Sequence, residues 1–550
     1  METRLLIAFG LMGVVLLVTP YIFKQPTPPP NANKDGKDKA AVAAVKDATP
    51  APPKTEAAAT PQGAQAADAE ETRTVETDLY RVVFSNRGAV VKSWVLKAFK
   101  DHNNKPLDLV NQAAIGKHPA PFSVYFKTGA PEADPNAALY VVRPDGPLGL
   151  HFEYSDGHVA IQKTFQFDQG SYLVNVSSQA SRDGLPIAHA LAWRGGFGDE
   201  TIVNATSTQK ALRYDTSASK LTEEDPKVAK DAPVSVSGSY SFVGLEDNYF
   251  AGVFLPAAKT SIEVTTFADK LNNADNKEEL RVGAAAGGEA NNRFRFYLGP
   301  KDQDLLRKVD PKLEQLIDWG WFEVIAKPLF YALRWTVETI THNYGWAIIL
   351  VTIVINMVLF PLRLSSMKSS KKMQAIQPQV AAINAKYKNL KMNDPKKSEQ
   401  NEELMALYKK HDINPVGGCV PMLLQIPFFI AYYKVLTVTI AMRGASWLWV
   451  NDLSQPETIA IRILPVLLVV TQFLSQRMTP SPGADPSQQK MMMFMPLFLG
   501  YIFYYNSSGL VLYWLTGNVV GIIQQLALNR VSKPAGVIDV KPVQSKKNRN

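Results

Sequence analysis

Residues 344–390 read YGWAIILVTIVINMVLFPL (344–362), then Arg363, then LSSMKSSKKMQAIQPQVAAINAKYKNL (364–390). The first block is about as long as the apolar run that spans the hydrocarbon of a bilayer. One strongly polar side chain, Asn356, interrupts it. Thr352, Asn356, Leu359 and Arg363 recur at helical spacing and so share one face. A polar stripe is costly in hydrocarbon, so this face is expected to look onto protein or water. Beyond Arg363 the chain turns basic. Met373, Ile376, Val380, Ile383, Tyr387 and Leu390 alternate spacings of three and four, a heptad seam. Asn393-Asp394-Pro395 breaks the seam, with Asp394 as N-cap and Pro395 in the first turn of the next helix. Leu404, Leu407 and His411 lie on one face of that helix. An antiparallel coiled-coil hairpin over 364–418 follows, its first arm kinked at Pro378.

Four more apolar segments lie downstream, at 419–442, 461–478, 491–505 and 509–528. The last two are joined only by Asn506-Ser507-Ser508. Another opens the chain, LLIAFGLMGVVLLVTPYIF (5–23), read as an uncleaved signal anchor over 1–23 because no small-x-small cleavage site follows it. A cleaved signal peptide is the alternative. Six spans result. Ten lysines fall in 364–418 and six Lys or Arg beyond Leu528, whereas Arg443 and Arg462 are the only basic residues from 443 to 462. The positive-inside rule places 364–418, 479–490 and the tail 529–550 in the cytoplasm, and residues 24–343 outside. The hairpin lysines (Lys368, Lys371, Lys372, Lys386, Lys388) have two readings. They fix topology and solvate the hairpin, or they meet the ribosome, a targeting factor or anionic lipid.

The remaining first half is polar. Residues 24–71 are rich in Ala, Pro, Lys and Asp, without aromatics, and are expected to be a disordered linker. Over 72–300, runs such as LYRVVFSNRGAVVKSWVL (79–96), HFEYSDGHVAIQKTFQF (151–167) and NRFRFYLGP (292–300) alternate apolar with polar residues, with turns between them. They predict an antiparallel all-β sandwich. His151, His158 and His189 lack ligand spacing and are expected to be ordinary surface or core residues. Asp310-Pro311 looks like a helix start, and 310–341 is expected to be an amphipathic helix lying in the membrane interface. A soluble helix packed on the β domain is the other reading.

The net charge of +9 over 550 residues is modest and implies no direct nucleic-acid readout. A lone cysteine, Cys419, excludes an intrachain disulfide. The second half carries no phosphate loop, Ser/His/Asp set or metal-ligand cluster; neither an enzyme nor a cofactor is expected. The spans instead carry polar residues at one depth. Asn356, Gln425, Gln472 and Gln524 lie towards the cytoplasmic ends, with Thr516 and Asn518 nearer the middle of the last span. Convergence would make a hydrophilic hollow open to the cytoplasm, with Arg363 as its charge. Scattered interhelical hydrogen bonds, each worth about 1 kcal/mol, are the alternative. Lys434 lies towards the outer end of its span and is expected to snorkel outwards.

Several stretches resemble the YidC family of bacterial membrane-protein insertases, which includes mitochondrial and chloroplast members. They are WGWFEVIAKPLFYALRW (319–335), MQAIQP (373–378), NPVGGCVPMLLQIPFFIAYYKVL (414–436), WLWVNDLS (447–454), DPSQQKMMMFMPLF (485–498) and SSGLVLYWLTGNVVGIIQQ (507–525). The resemblance covers nearly everything from Thr72. It implies a polytopic α-helical protein of the Gram-negative inner membrane, with a five-helix insertase core, a cytoplasmic helical hairpin and a large periplasmic β domain. It also implies that a hydrophilic groove receives nascent membrane proteins, alone or with the Sec translocon. Guests would then slide into the phospholipid bilayer along Ile426, Pro427, Phe429, Ile430, Phe494, Pro496 and Phe498. One position departs from the pattern: many members carry Arg or Lys where this chain has Asn356, and Arg363 is the candidate substitute. A small-molecule transporter and an envelope scaffold with a ligand-binding β domain are the competing functions. The transporter reading lacks paired halves.

Overall fold

The structure is a computed structural model that describes residues 63–202, 205–257, 261–272, 276–387, 396–411, 420–478 and 486–531. The expected anchor, most of the linker, the 393–395 turn, Leu390, Cys419 and the tail beyond Val531 lie outside the described residues. The chain divides into two compact units. One contains Lys371–Pro415, and the other joins Ala59–Ser370 to Val416–Pro534.

The β region follows from its alternation. Tyr80–Ser85 buries Tyr80, Val82 and Phe84 and exposes Arg81. It pairs with Val90–Lys100 across the expected Asn86-Arg87-Gly88 turn. A Cβ at Gly88 would sit 2.5 Å from the Asn136 carbonyl oxygen, and its φ is +73°, so the turn requires glycine there. Thr72–Glu76 and Pro106–Asp108 complete a four-stranded antiparallel sheet. The expected hairpin at 151–167 forms as Gly149–Asp156 and Val159–Phe167, within a larger sheet of fifteen strands. In that sheet the long strand Val234–Glu246 pairs through its first half with Ser261–Asn272. Through its second half it pairs with Lys210–Asp215 and Phe250–Pro256, tying the two parts together. Rings from the small sheet interlock with rings from the large one: Phe84 lies 4.8 Å from Phe165, and Trp94 lies 6.2 Å from Phe296. That aromatic layer is the core of the predicted sandwich.

One buried cation stands in this core. Lys163 is fully buried, and its ammonium donates to the carbonyls of Gly88 (2.7 Å), Ala89 (3.2 Å) and Phe122 (2.7 Å). Burial pushes its pKa down to about 7.

Three sequence-based boundaries shift. The linker ends before 71. Ala64–Gln65 pairs with Ser155–Asp156, Glu70 forms an ion pair with Arg87 at 2.8 Å, and the Glu71 N–H donates to Asn86. Composition misses this because the segment is held by backbone pairing and charge, not by apolar burial. Second, Asp310 does cap, accepting the Lys312 N–H at 2.8 Å, but what begins there is one short 3-10 turn, Pro311–Leu316. The amphipathic helix, α1, runs Glu323–Thr336, after Gly320 has turned the chain at φ +70°. His342 in the left-handed region and the Asn343 cap then reverse the chain into α2, Tyr344–Val358, bent by 118° from the preceding helix. Third, the expected span over 344–362 is broken near Pro361. Helix α2 gives way at Leu359 to α3, Phe360–Ala375, because proline supplies no N–H to the ladder.

Downstream lie α4 (Gln377–Lys386), α5 (Lys396–Lys410), α6 (Val420–Val438), α7 (Ile463–Met478), α8 (Pro486–Tyr504) and α9 (Ser508–Val531). Helix α9 packs between α2 and α7, α8 against α7, and α1 against α6. Among the described residues, one helix is by itself long and apolar enough to cross a membrane, Ser508–Arg530, with 23 residues. In the hairpin, Ile376, Val380 and Leu404 are buried, flanked by Met373, Ile383, Leu407 and Tyr408, so the heptad seam is its core. Pro378 stands in the first turn of α4, after a break at Ile376, and does not kink one continuous helix.

Candidate functional site

Helices α2, α3 and α9 bring three of the expected polar residues together. Asn356 donates its amide N–H to the Thr352 carbonyl one turn back, at 2.8 Å. This leaves its Oδ1 as an acceptor. Arg363, on α3, reaches back and donates to that oxygen at 3.2 Å and to Gln524 Oε1 on α9 at 3.4 Å. Gln524 in turn donates to the Asn356 carbonyl at 3.4 Å. These are long, weak contacts with neutral oxygens. Among the described residues no carboxylate comes within ion-pair distance of Arg363.

A second polar group forms where α9 meets α7: Asn518 donates to Gln472 at 2.9 Å and to Thr471 at 3.4 Å. Thr516 is buried and donates to the Leu512 carbonyl of its own helix, so it joins neither group. Gln425 is exposed near the start of α6 and also stands apart.

Of the apolar residues expected to guide a guest, Ile426 (40% exposed), Phe494 (60%) and Phe498 (64%) face outwards. Pro427 and Ile430 are half-buried and Pro496 is buried. Phe429 packs against Trp514, 4.8 Å away, and Phe503 meets the same residue at 4.8 Å. One ring of α9 thereby bridges α6 and α8, a role the sequence does not mark among its many aromatics. Gly521 was also missed; a Cβ there would lie 2.6 Å from the Arg363 guanidinium. Glycine is common in membrane helices, so its presence alone carries no signal.

Lys434 of α6 forms an ion pair with Asp318, ahead of α1. Burial works against the Asp318 carboxylate, but the Lys434 ammonium and the Gly320 N–H outweigh it and hold its pKa below the ordinary value. The loop after α6 is anchored on the β region. The buried Arg443 pairs with the buried Asp199, donates to the Lys100 carbonyl at 2.7 Å and lies over the rings of Tyr249 and Phe250.

Of the hairpin lysines, Lys386 pairs with Glu403 at 2.5 Å and Lys372 is exposed. Lys388 and the side chains of Lys368 and Lys371 lie outside what is described. The three histidines do not converge. His151 bonds Thr164 and Glu153, His158 bonds Asp183, and His189 sits in the core against Ser178. Among the described residues no group of His, Cys, Asp and Glu fits a metal ion.

Comparison with known proteins gives two family models, the YidC periplasmic domain over 72–332 and the 60Kd inner membrane protein over 335–535. The chain is 34% identical to the membrane protein insertase YidC of Ralstonia nicotianae, covering 88% of each chain. It is 31% identical to the same-named protein of Syntrophus aciditrophicus, over 96% of this chain and all of that one. A crystal structure of an active YidC insertase covers 86% of this chain and 95% of its own at 20% identity, with a TM-score of 0.37. A galactose mutarotase-like protein from Lactobacillus casei covers 42% of this chain at 10% identity, with a TM-score of 0.28.

Proposed function

The chain belongs to the YidC family of membrane protein insertases, and we propose that it inserts newly made integral membrane proteins into the inner membrane. The observation that carries this reading furthest is Arg363. It is a half-buried guanidinium held by two neutral amide oxygens, with no carboxylate partner among the described residues. A cation so placed attracts the acidic residues of a guest's hydrophilic segment, and low surrounding polarity strengthens that attraction. Asn356 and Gln524 orient it. Gln472 and Asn518 on α7 and α9 extend the polar lining, and Gln425 adds an exposed amide near its entrance. Once the guest's polar end is held, its apolar helix leaves along the exposed rings of α6 and α8, driven by burial in lipid.

The topology that serves this role has six spans, with both termini and the hairpin in the cytoplasm and the β domain in the periplasm. The hairpin's lysines would then face a ribosome or targeting factor, and the protein would act alone or beside the Sec translocon. Photo-crosslinkers at Ile426 and Phe498 should capture nascent membrane helices in translating membranes. If neither does, while a soluble ligand binds the bundle, the insertase route is wrong.

A further inference from the structure

Gly521 is the one residue of α9 whose missing side chain is filled by the guanidinium of Arg363. A Cβ built there would stand 2.6 Å from Nη2, 3.0 Å from Cζ and 3.1 Å from Nη1. The cation therefore lies against bare helix backbone, with Gln524 three residues further along α9 and Asn356 on α2 accepting its hydrogen bonds. Those bonds already span 3.2 and 3.4 Å, close to the outer limit of useful geometry, so a small withdrawal of the guanidinium breaks them.

We infer that Gly521 is a positioning residue for insertion: it forms the seat that keeps the Arg363 charge between α2 and α9, where a guest's acid can reach it. The inference rests on the proposed role of Arg363. Alanine is a better helix former than glycine, so a defect on replacing Gly521 would not come from the helix itself.

The test uses the full-length chain in membranes. Two versions of one single-span guest are compared, one with acidic residues in its translocated tail and one with a neutral tail. The readout is the ratio of acidic-tail to neutral-tail translocation by protease protection. Arg363→Ala should lower this ratio roughly three- to tenfold. Gly521→Leu should lower it to a similar degree, and Gly521→Ala in the same direction by less. Gly521→Leu added to Arg363→Ala should change nothing further, because its only route of action is gone. A packing glycine would instead depress both guests alike, leave the ratio unmoved and add to Arg363→Ala; either result overturns the seat. If Arg363→Ala itself leaves the ratio unchanged, the groove reading falls. If Arg363→Ala is selective and neither Gly521 variant is, only the seat falls.

Discussion

Two cations without a carboxylate partner among the described residues stand in the two halves of this molecule, and their surroundings differ. Lys163 in the β sandwich is fully enclosed, and three backbone carbonyls hold it at 2.7 to 3.2 Å. Arg363 at the junction of α2, α3 and α9 is half-buried and meets two side-chain oxygens at 3.2 and 3.4 Å. The first satisfies carbonyls that the Gly88 turn and Phe122 would otherwise leave unpaired in a dry core. The second has capacity to spare. A buried charge with all its partners supplied by backbone holds a fold together, while one held loosely by neutral groups keeps donors free for the acidic guest proposed above.

The contrast can be broken in several places. The largest effect is expected at the seam between β region and helices: Arg443→Ala leaves Asp199 buried without its cation, held only by its hydrogen bonds from Thr201, at a cost of about 3 kcal/mol. Denaturant melts of the full chain should show it. A loss well below that would mean the β region is merely tethered. Deleting 72–300 would likewise strip the loop after α6 of this anchor.

Lys163→Met should destabilise the β region by about 2 kcal/mol, because it orphans buried carbonyls. Its ratio of acidic-tail to neutral-tail insertion should stay at the parent value. Arg363→Ala should do the reverse, moving the ratio and leaving the melting curve nearly unchanged. Exchanged outcomes would dissolve the comparison.

A pH-dependent effect of similar size is expected at His189. Burial first, and then the Lys163 charge, lower its pKa to about 4 from 6.5. The unfolded imidazole takes up a proton below about 6.5 and the folded one only below about 4. Stability from this group is therefore full above pH 6.5 and falls as pH drops towards 4, by up to about 3 kcal/mol. His189→Gln should flatten that part of the stability profile; an unchanged slope would exclude His189 as its source. The smallest effect is expected at Lys386→Ala in the hairpin, whose exposed pair with Glu403 should leave the melt unchanged.

Much of this was legible in the chain. Alternation at Tyr80–Ser85 and Val159–Phe167 marked strands, since a pleated strand sends successive side chains to opposite faces. The seam at Ile376, Val380 and Leu404 marked the hairpin core. Local signals also misled where local structure was overruled. Asp310-Pro311 carries a sound cap, yet the turn it starts stops before Gly320, whose backbone lies against the Lys434 side chain. Charge pairing was not legible. Nothing in the sequence joins Arg443 to Asp199, because ion pairs across hundreds of residues obey no period.

By itself, the sequence determined the division into a β region and an apolar, basic-looped helical half. Periodicity and composition decide which surfaces leave water, so both are written residue by residue. It also placed Asn356 and Arg363 on one helical face. Only the tertiary structure decided that Arg363 turns back to Asn356, that Gln524 meets both, and that Gly521 leaves the space between them. That arrangement depends on how closely α9 approaches α2 and α3, a distance set by the packing of all three helices together.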